Sequence, residues 1–157
     1  MQRRPVFLSF CYSDDVNRVQ QIRNMGLFDG QPLLSSNDFE QVKMKGNNAI
    51  QRWIDEQLKY KQCLIVLIGK NTADRPWVQY EIKKADELGK AIFGIYIHNL
   101  KDFNGFSTKG KDPFVKVFGY AKYKCYDPTH INVPGMNAYN TIQKNISNWI
   151  ELSILNK

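Results

Sequence analysis

Apolar positions along the chain fall into two periods that alternate from one end to the other. Val6-Phe7-Leu8-Ser9-Phe10 is a short run of strand formers. Behind it, Val16, Val19 and Ile22 recur at helical spacing. They follow Ser13-Asp14-Asp15, a group that reads as a helix N-terminus with a side-chain cap and acids in its first turn, and Gly26 ends that helix. Pro32-Leu33-Leu34-Ser35 predicts a second, short strand, and residues 36–46 a polar loop. From Asn47 the helical period returns in Ile50, Trp53, Ile54 and Leu58. Cys63-Leu64-Ile65-Val66-Leu67-Ile68 is almost continuously apolar, as a strand buried on both faces must be. A helix is predicted from about Asp74 to Leu88, with Pro76 in its first turn and Gly89 at its end, followed by a buried strand over Ala91 to Ile97. Residues 98–122, rich in Gly, Lys, Asp and aromatics, predict a long excursion over the surface. Tyr123-Lys124-Cys125-Tyr126 predicts a last strand. A closing helix carries Tyr139, Ile142, Ile146, Trp149 and Ile150 on one face.

Strands that alternate with amphipathic helices predict a doubly wound, flavodoxin-like α/β fold: a central parallel sheet of about five strands with helices on both faces. At 157 residues the chain has the size of one domain, expected to span 1–157 with the surface excursion at 98–122. Such sheets bind ligands beyond the carboxyl ends of their strands. Here the loops at that edge begin at Cys11, Ser36, Gly69 and His98.

Composition narrows the possibilities further. Hydrophobic residues make up 43%, enough for a full core, and no apolar run approaches the roughly 18 residues of a membrane span. The apolar segment after Met1-Gln2-Arg3-Arg4-Pro5 is too short for a signal peptide, so a cytoplasmic protein is expected. Cys11, Cys63 and Cys125 show neither metal nor redox spacing and are expected to be buried free thiols; no metal site is expected. The formal net charge of +7 suits an anionic small molecule as well as nucleic acid. The densest lysine cluster, 101–124, lacks a nucleic-acid recognition motif, so nucleic acid is not an expected partner.

One residue stands out of place. On a wheel advancing about 100° per residue from Trp77, the residues Leu88, Ala85, Val78 and Ile82 form an apolar arc from about 20° to about 140°, and Glu81 falls inside it at about 40°. An unpaired buried carboxylate is costly. It needs a partner, a raised pKa or access to a cleft. A salt bridge to a lysine, a cap for a loop amide, and a functional acid at the ligand edge are all consistent with this position.

These segments resemble the TIR-like domains, of the stand-alone bacterial, ThsB-like sort found in Thoeris anti-phage systems. The residues that carry the resemblance are Val6 to Phe10 with Ser13-Asp14, Ile50 to Leu58, and Trp77-Val78-Gln79-Tyr80-Glu81. The last matches the family's Trp-Cys-x-x-Glu motif, with Val78 in place of cysteine. The match is good over about residues 5–97. The 36–46 loop lacks the proline-glycine turn of receptor-type TIR domains, and 98–122 has no counterpart in those receptors.

The resemblance implies cleavage of NAD at the nicotinamide–ribose bond, with NAD as substrate and no cofactor. It also implies release of a cyclic ADP-ribose isomer that activates a partner effector as a diffusible messenger. Glu81 would be the catalytic residue and Trp77 a wall of the nicotinamide-ribose pocket. Phe10, Cys11, Tyr12 and Ser13 would line the site after the first strand, and Asp38, Met44 and Gly46 would belong to a loop closing over NAD. Homo-oligomeric assembly on activation is implied as well, and a phage-derived trigger is compatible with it. Two other readings fit the same residues: a nucleoside deoxyribosyltransferase-like enzyme, and a non-catalytic TIR-like scaffold in which Glu81 is a structural ion pair.

Overall fold

A computed structural model describes residues 3–33, 44–129 and 137–157. Five parallel strands form one sheet: β1 (Pro5–Ser9), β2 (Asp29–Gly30), β3 (Cys63–Ile68), β4 (Ala91–Tyr96) and β5 (Cys125–Tyr126), in the order β2-β1-β3-β4-β5. Among the described residues the connecting helices are α1 (Tyr12–Arg23), α2 (Asn47–Lys59), α3 (Pro76–Glu87), α4 (Pro113–Phe118) and α5 (Ala138–Leu155). The doubly wound α/β fold with five parallel strands is the one expected.

Side-chain alternation along the strands makes two cores. Val6, Leu8, Ile65, Leu67, Phe93 and Ile95 pack under α1 and α5, against Val19, Ile22, Ile142, Ile146 and Ile150. Phe7, Leu64, Val66, Ile68 and Ile92 pack on the other face, under Ile54 and Leu58 of α2, Val78, Ile82 and Ala85 of α3, and Phe114 of α4. β3 is buried at every position, which is why its sequence shows no polar alternation.

Several elements differ from expectation for identifiable reasons. The second strand is Asp29–Gly30 rather than Pro32–Ser35, of which Leu34 and Ser35 lie outside the described residues. Beyond Gly30 the ladder is continued by a side chain: the amide of buried Gln31 accepts from Leu8 N and donates to Leu8 O, both at 2.8 Å. Pro32, with no N–H, could not have served there. Ser13 does not cap α1. The helix begins at Tyr12, two residues earlier than a Ser13 cap would place it, with Cys11 at the N-cap and no side-chain cap bond. α3 starts at Pro76, preceded by a single 3-10 turn over Thr72–Asp74. The second half of the 98–122 segment contains α4, capped by Asp112, whose carboxylate accepts from Phe114 N at 2.8 Å and Val115 N at 3.3 Å. Phe114 is fully buried, but six residues are too few to show a period in the sequence. The last strand is shorter than expected.

Candidate active site

Strand alternation places Ser9. Val6 and Leu8 of β1 face α1 and α5, so Phe7 and Ser9 face α2 and α3. Ser9 is the last residue of β1 and is wholly buried, at the carboxyl edge of the sheet. Glu81, in the second turn of α3, descends on the same face. The Ser9 hydroxyl donates to Glu81 Oε1 at 2.7 Å.

Glu81 is 9% exposed. Burial pushes its carboxyl up to about 8, the larger effect, and the Ser9 hydrogen bond pulls the other way. Among the described residues it makes no salt bridge, and its second oxygen has no hydrogen-bond partner. The arrangement is a carboxyl held at one oxygen by a neutral donor, in a low-dielectric setting, with the other oxygen open. A group so placed responds strongly to any positive charge brought beside it.

The other expected site residues are placed as follows. Trp77 precedes Glu81 by one turn, half-buried against the α2–α3 core and edge-on to Tyr80 at 5.7 Å. Tyr80 in turn donates to Asp55 Oδ1 at 2.8 Å, which ties α3 to α2. After β1, the rings of Phe10 and Tyr12 stack at 6.1 Å, Cys11 is buried, and Ser13 is exposed. Phe10 packs partly into the α1–α5 core. Gly46 is the N-cap of α2, with a φ of 91° that favours glycine. Met44, two residues before it, is 84% exposed. Asp38 lies outside the described residues. Because helices in this fold run antiparallel to the strands, the starts of α1, α2 and α3 all lie at the carboxyl edge, with Ser9 and Glu81 among them.

Two features of this edge were missed from sequence. Ser9 is one, although a lone serine at the carboxyl end of an apolar strand was a usable signal. The other is a buried ion cluster on the opposite face. Arg18 Nη1 lies 3.0 Å from Asp15 Oδ1 and 3.2 Å from Asp102 Oδ2, Nε donates to Leu100 O at 2.7 Å, and Nη2 donates to Gly105 O at 3.0 Å. Asp15 lies in the first turn of α1 as expected, yet it is buried, at 1% exposure. Burial raises its carboxyl against the downward pull of Arg18. Its Oδ2 has no hydrogen-bond partner and packs against Gly69, occupying the space a Cβ there would need. A groove of about 460 Å³ beside this cluster, lined by Asn17, Gln20, Asn24, Lys101 and Phe103 among others, lies on the α1 side of the sheet, away from Glu81. Cys11 and Cys63 are buried free thiols, and Cys125 is partly buried. Among the described residues no group of three or more His, Cys, Asp or Glu could hold a metal ion, and no helix is long and apolar enough to cross a membrane.

The chain belongs to the family described as Thoeris protein ThsB, TIR-like domain, whose model matches residues 7–102. Over 121 residues it is 36% identical to the Bacillus cereus (strain MSX-D12) protein named "Putative cyclic ADP-D-ribose synthase ThsB1", a stretch covering 69% of this chain and 60% of that relative. The matched stretch thus spans about three fifths of the relative's length.

Proposed function

We propose that this protein cleaves NAD at the nicotinamide–ribose bond, with Glu81 as the catalytic residue, and releases a cyclic ADP-ribose-type molecule that activates a partner effector. The observation that carries the proposal is the state of Glu81: buried, hydrogen-bonded only by neutral Ser9, and without a cation among the described residues. The family and the printed name of the relative support the same chemistry.

In the reaction, the bond from ribose C1′ to the pyridinium nitrogen breaks, and its electron pair goes to that nitrogen. Nicotinamide leaves neutral, so no general acid is required, unlike glycosidases that must protonate their leaving group. Positive charge develops on the ribose, and one carboxylate in a dry setting stabilises it. Glu81 is largely protonated near neutral pH in the free protein. A cationic nicotinamide nucleoside beside it favours the ionised form, so substrate binding and the charging of Glu81 reinforce each other. Attack on C1′ by a nucleophile of the same ADP-ribosyl group closes the ring and releases a proton, while water in its place yields linear ADP-ribose. Cyclisation therefore needs water excluded and the substrate folded. Trp77, Phe10, Cys11, Tyr12, Ser13, Met44, Gly46 and Asp38 are proposed to shape that enclosure. Assembly into homo-oligomers, a phage-derived trigger and a cytoplasmic location belong to the same proposal.

A scaffold in which Glu81 is a structural ion pair needs a cationic partner, and the described residues supply none. The test is NAD consumption by the concentrated purified protein and by lysate of phage-infected cells expressing it, with folded Glu81→Gln alongside and products separated by mass. Nicotinamide release with a cyclic ADP-ribose mass, lost in the variant, supports the proposal. Linear ADP-ribose retains the chemistry and removes the messenger. No nicotinamide in either setting overturns it.

A further inference from the structure

Around β1 the candidate site is acidic, with Asp14, Asp15 and Glu81 at its edge, whereas a dinucleotide carries two negative phosphates. Positive charge is supplied by the loops after β3 and β4. A Cβ on Gly110 would lie 2.0 Å from Gly69 O and 3.2 Å from Lys70 O, so these two loops meet backbone to backbone, which only glycine allows. The contact brings Lys70 on one loop together with Lys109 and Lys111 on the other, all three exposed. Lys109 is fixed, 3.0 Å from Asp127 Oδ2 and 4.5 Å over the Tyr96 ring. Lys70 and Lys111 have no acidic partner among the described residues. Three acids flank the group without pairing with either lysine: Asp112 caps α4, Asp74 meets Lys116 at 3.6 Å, and Asp14 accepts from the Asn71 amide at 2.8 Å. Beside Lys109 lies His98, 8% exposed, with a buried Nδ1 that has no hydrogen-bond partner. With Lys109 paired to Asp127, Lys70 and Lys111 are the two ammonium groups of this edge that no carboxylate among the described residues pairs directly.

We propose that Lys70, Lys109 and Lys111, gathered by the Gly69–Gly110 contact, form a diphosphate-binding edge. It takes the anionic middle of the dinucleotide while Glu81 faces its cationic end. The assignment of the ligand rests on the NAD reading above; the anion site itself does not. It also explains how a site with an acidic floor admits a dianion: the two charges of the ligand meet opposite charges on different loops.

The test is calorimetric binding of inorganic pyrophosphate, ADP-ribose and nicotinamide riboside to the wild-type protein, to Lys70→Gln/Lys111→Gln, and to Lys59→Gln at the opposite edge of the sheet. Both altered lysines of the double variant are exposed, so folding is retained. Pyrophosphate and ADP-ribose should bind about tenfold more weakly to the double variant, with nicotinamide riboside and the Lys59 variant within about twofold of wild type. Absence of pyrophosphate or ADP-ribose binding to the wild type, an equal loss in Lys59→Gln, or equally strong competition by a single-stranded oligonucleotide would overturn the proposal. NAD cleavage with a KM untouched by the double variant removes the diphosphate edge and leaves the cleavage reading intact. Lysine-dependent ADP-ribose binding without nicotinamide release does the reverse.

Discussion

Asp15 and Glu81 are both buried at the carboxyl edge of this sheet, one on each face, and they are treated in opposite ways. Asp15 on α1 meets Arg18, whose guanidinium also binds Asp102 and two carbonyls of the loop after β4. Among the described residues Glu81 on α3 hydrogen-bonds only to the hydroxyl of Ser9. Burial raises both. Among the described residues only Asp15 has a cation to offset the cost, in a cluster that ties α1 to the loop after β4. An acid whose charge is answered by its own fold is doing structural duty. An acid left with a neutral donor and one open oxygen is poised for a charge that arrives from outside.

The sharpest way to break this contrast is to remove the cation. Arg18→Met leaves Asp15 and Asp102 buried without their partner and should cost about 3–5 kcal/mol in urea denaturation. A loss below about 1 kcal/mol would mean the cluster is not the structural half of the comparison. On the other face, Glu81→Gln should reduce nicotinamide release by about 10²–10³-fold while the protein stays folded, read as turnover beside circular dichroism.

Glu81→Gln should also change stability in a pH-dependent direction. The folded carboxyl titrates near 8, above its usual 4.5. The folded state therefore keeps a proton that the unfolded chain has released. Stability from this group is full below the unfolded pKa and is lost as pH rises through the folded one. The neutral amide escapes that loss. Glu81→Gln should match wild type at acid pH and exceed it by on the order of 2–4 kcal/mol at about pH 9, seen as a higher Tm. A variant less stable than wild type at the higher pH would show that Glu81 has a cationic partner after all.

The smallest effect belongs to Ser9→Ala. It removes the one interaction pulling the Glu81 carboxyl down, so the alkaline-rising limb of kcat/KM should move up by up to about 1 pH unit. At neutral pH the rate falls several-fold, and most of it returns when the pH is raised. A loss that pH does not restore would assign Ser9 a different role.

The strands and long helices were legible because their periods repeat over enough residues to be seen: β3 and β4 as unbroken apolar runs, α2 and α5 as helical stripes. Short elements were not. α4 has too few turns to show a stripe, and β2 pairs through only two residues before the Gln31 side chain takes over the ladder. A side chain that imitates backbone cannot be told from an ordinary surface glutamine in sequence.

The same division holds for the site. Local geometry, written in the chain itself, put Glu81 on the apolar arc of α3 and demanded some compensation for it, because helical spacing is a property of consecutive residues. Which compensation it received could be decided only by packing. Ser9 is 72 residues away in sequence and reaches Glu81 only because β1 and α3 meet on one face of the sheet. Asp15 looked like any first-turn acid until Arg18 and the loop after β4 enclosed it. Burial and partnership are relations between segments distant along the chain. They set the pKa of each carboxyl, and with it the difference between an acid that holds the fold together and one that is free to act.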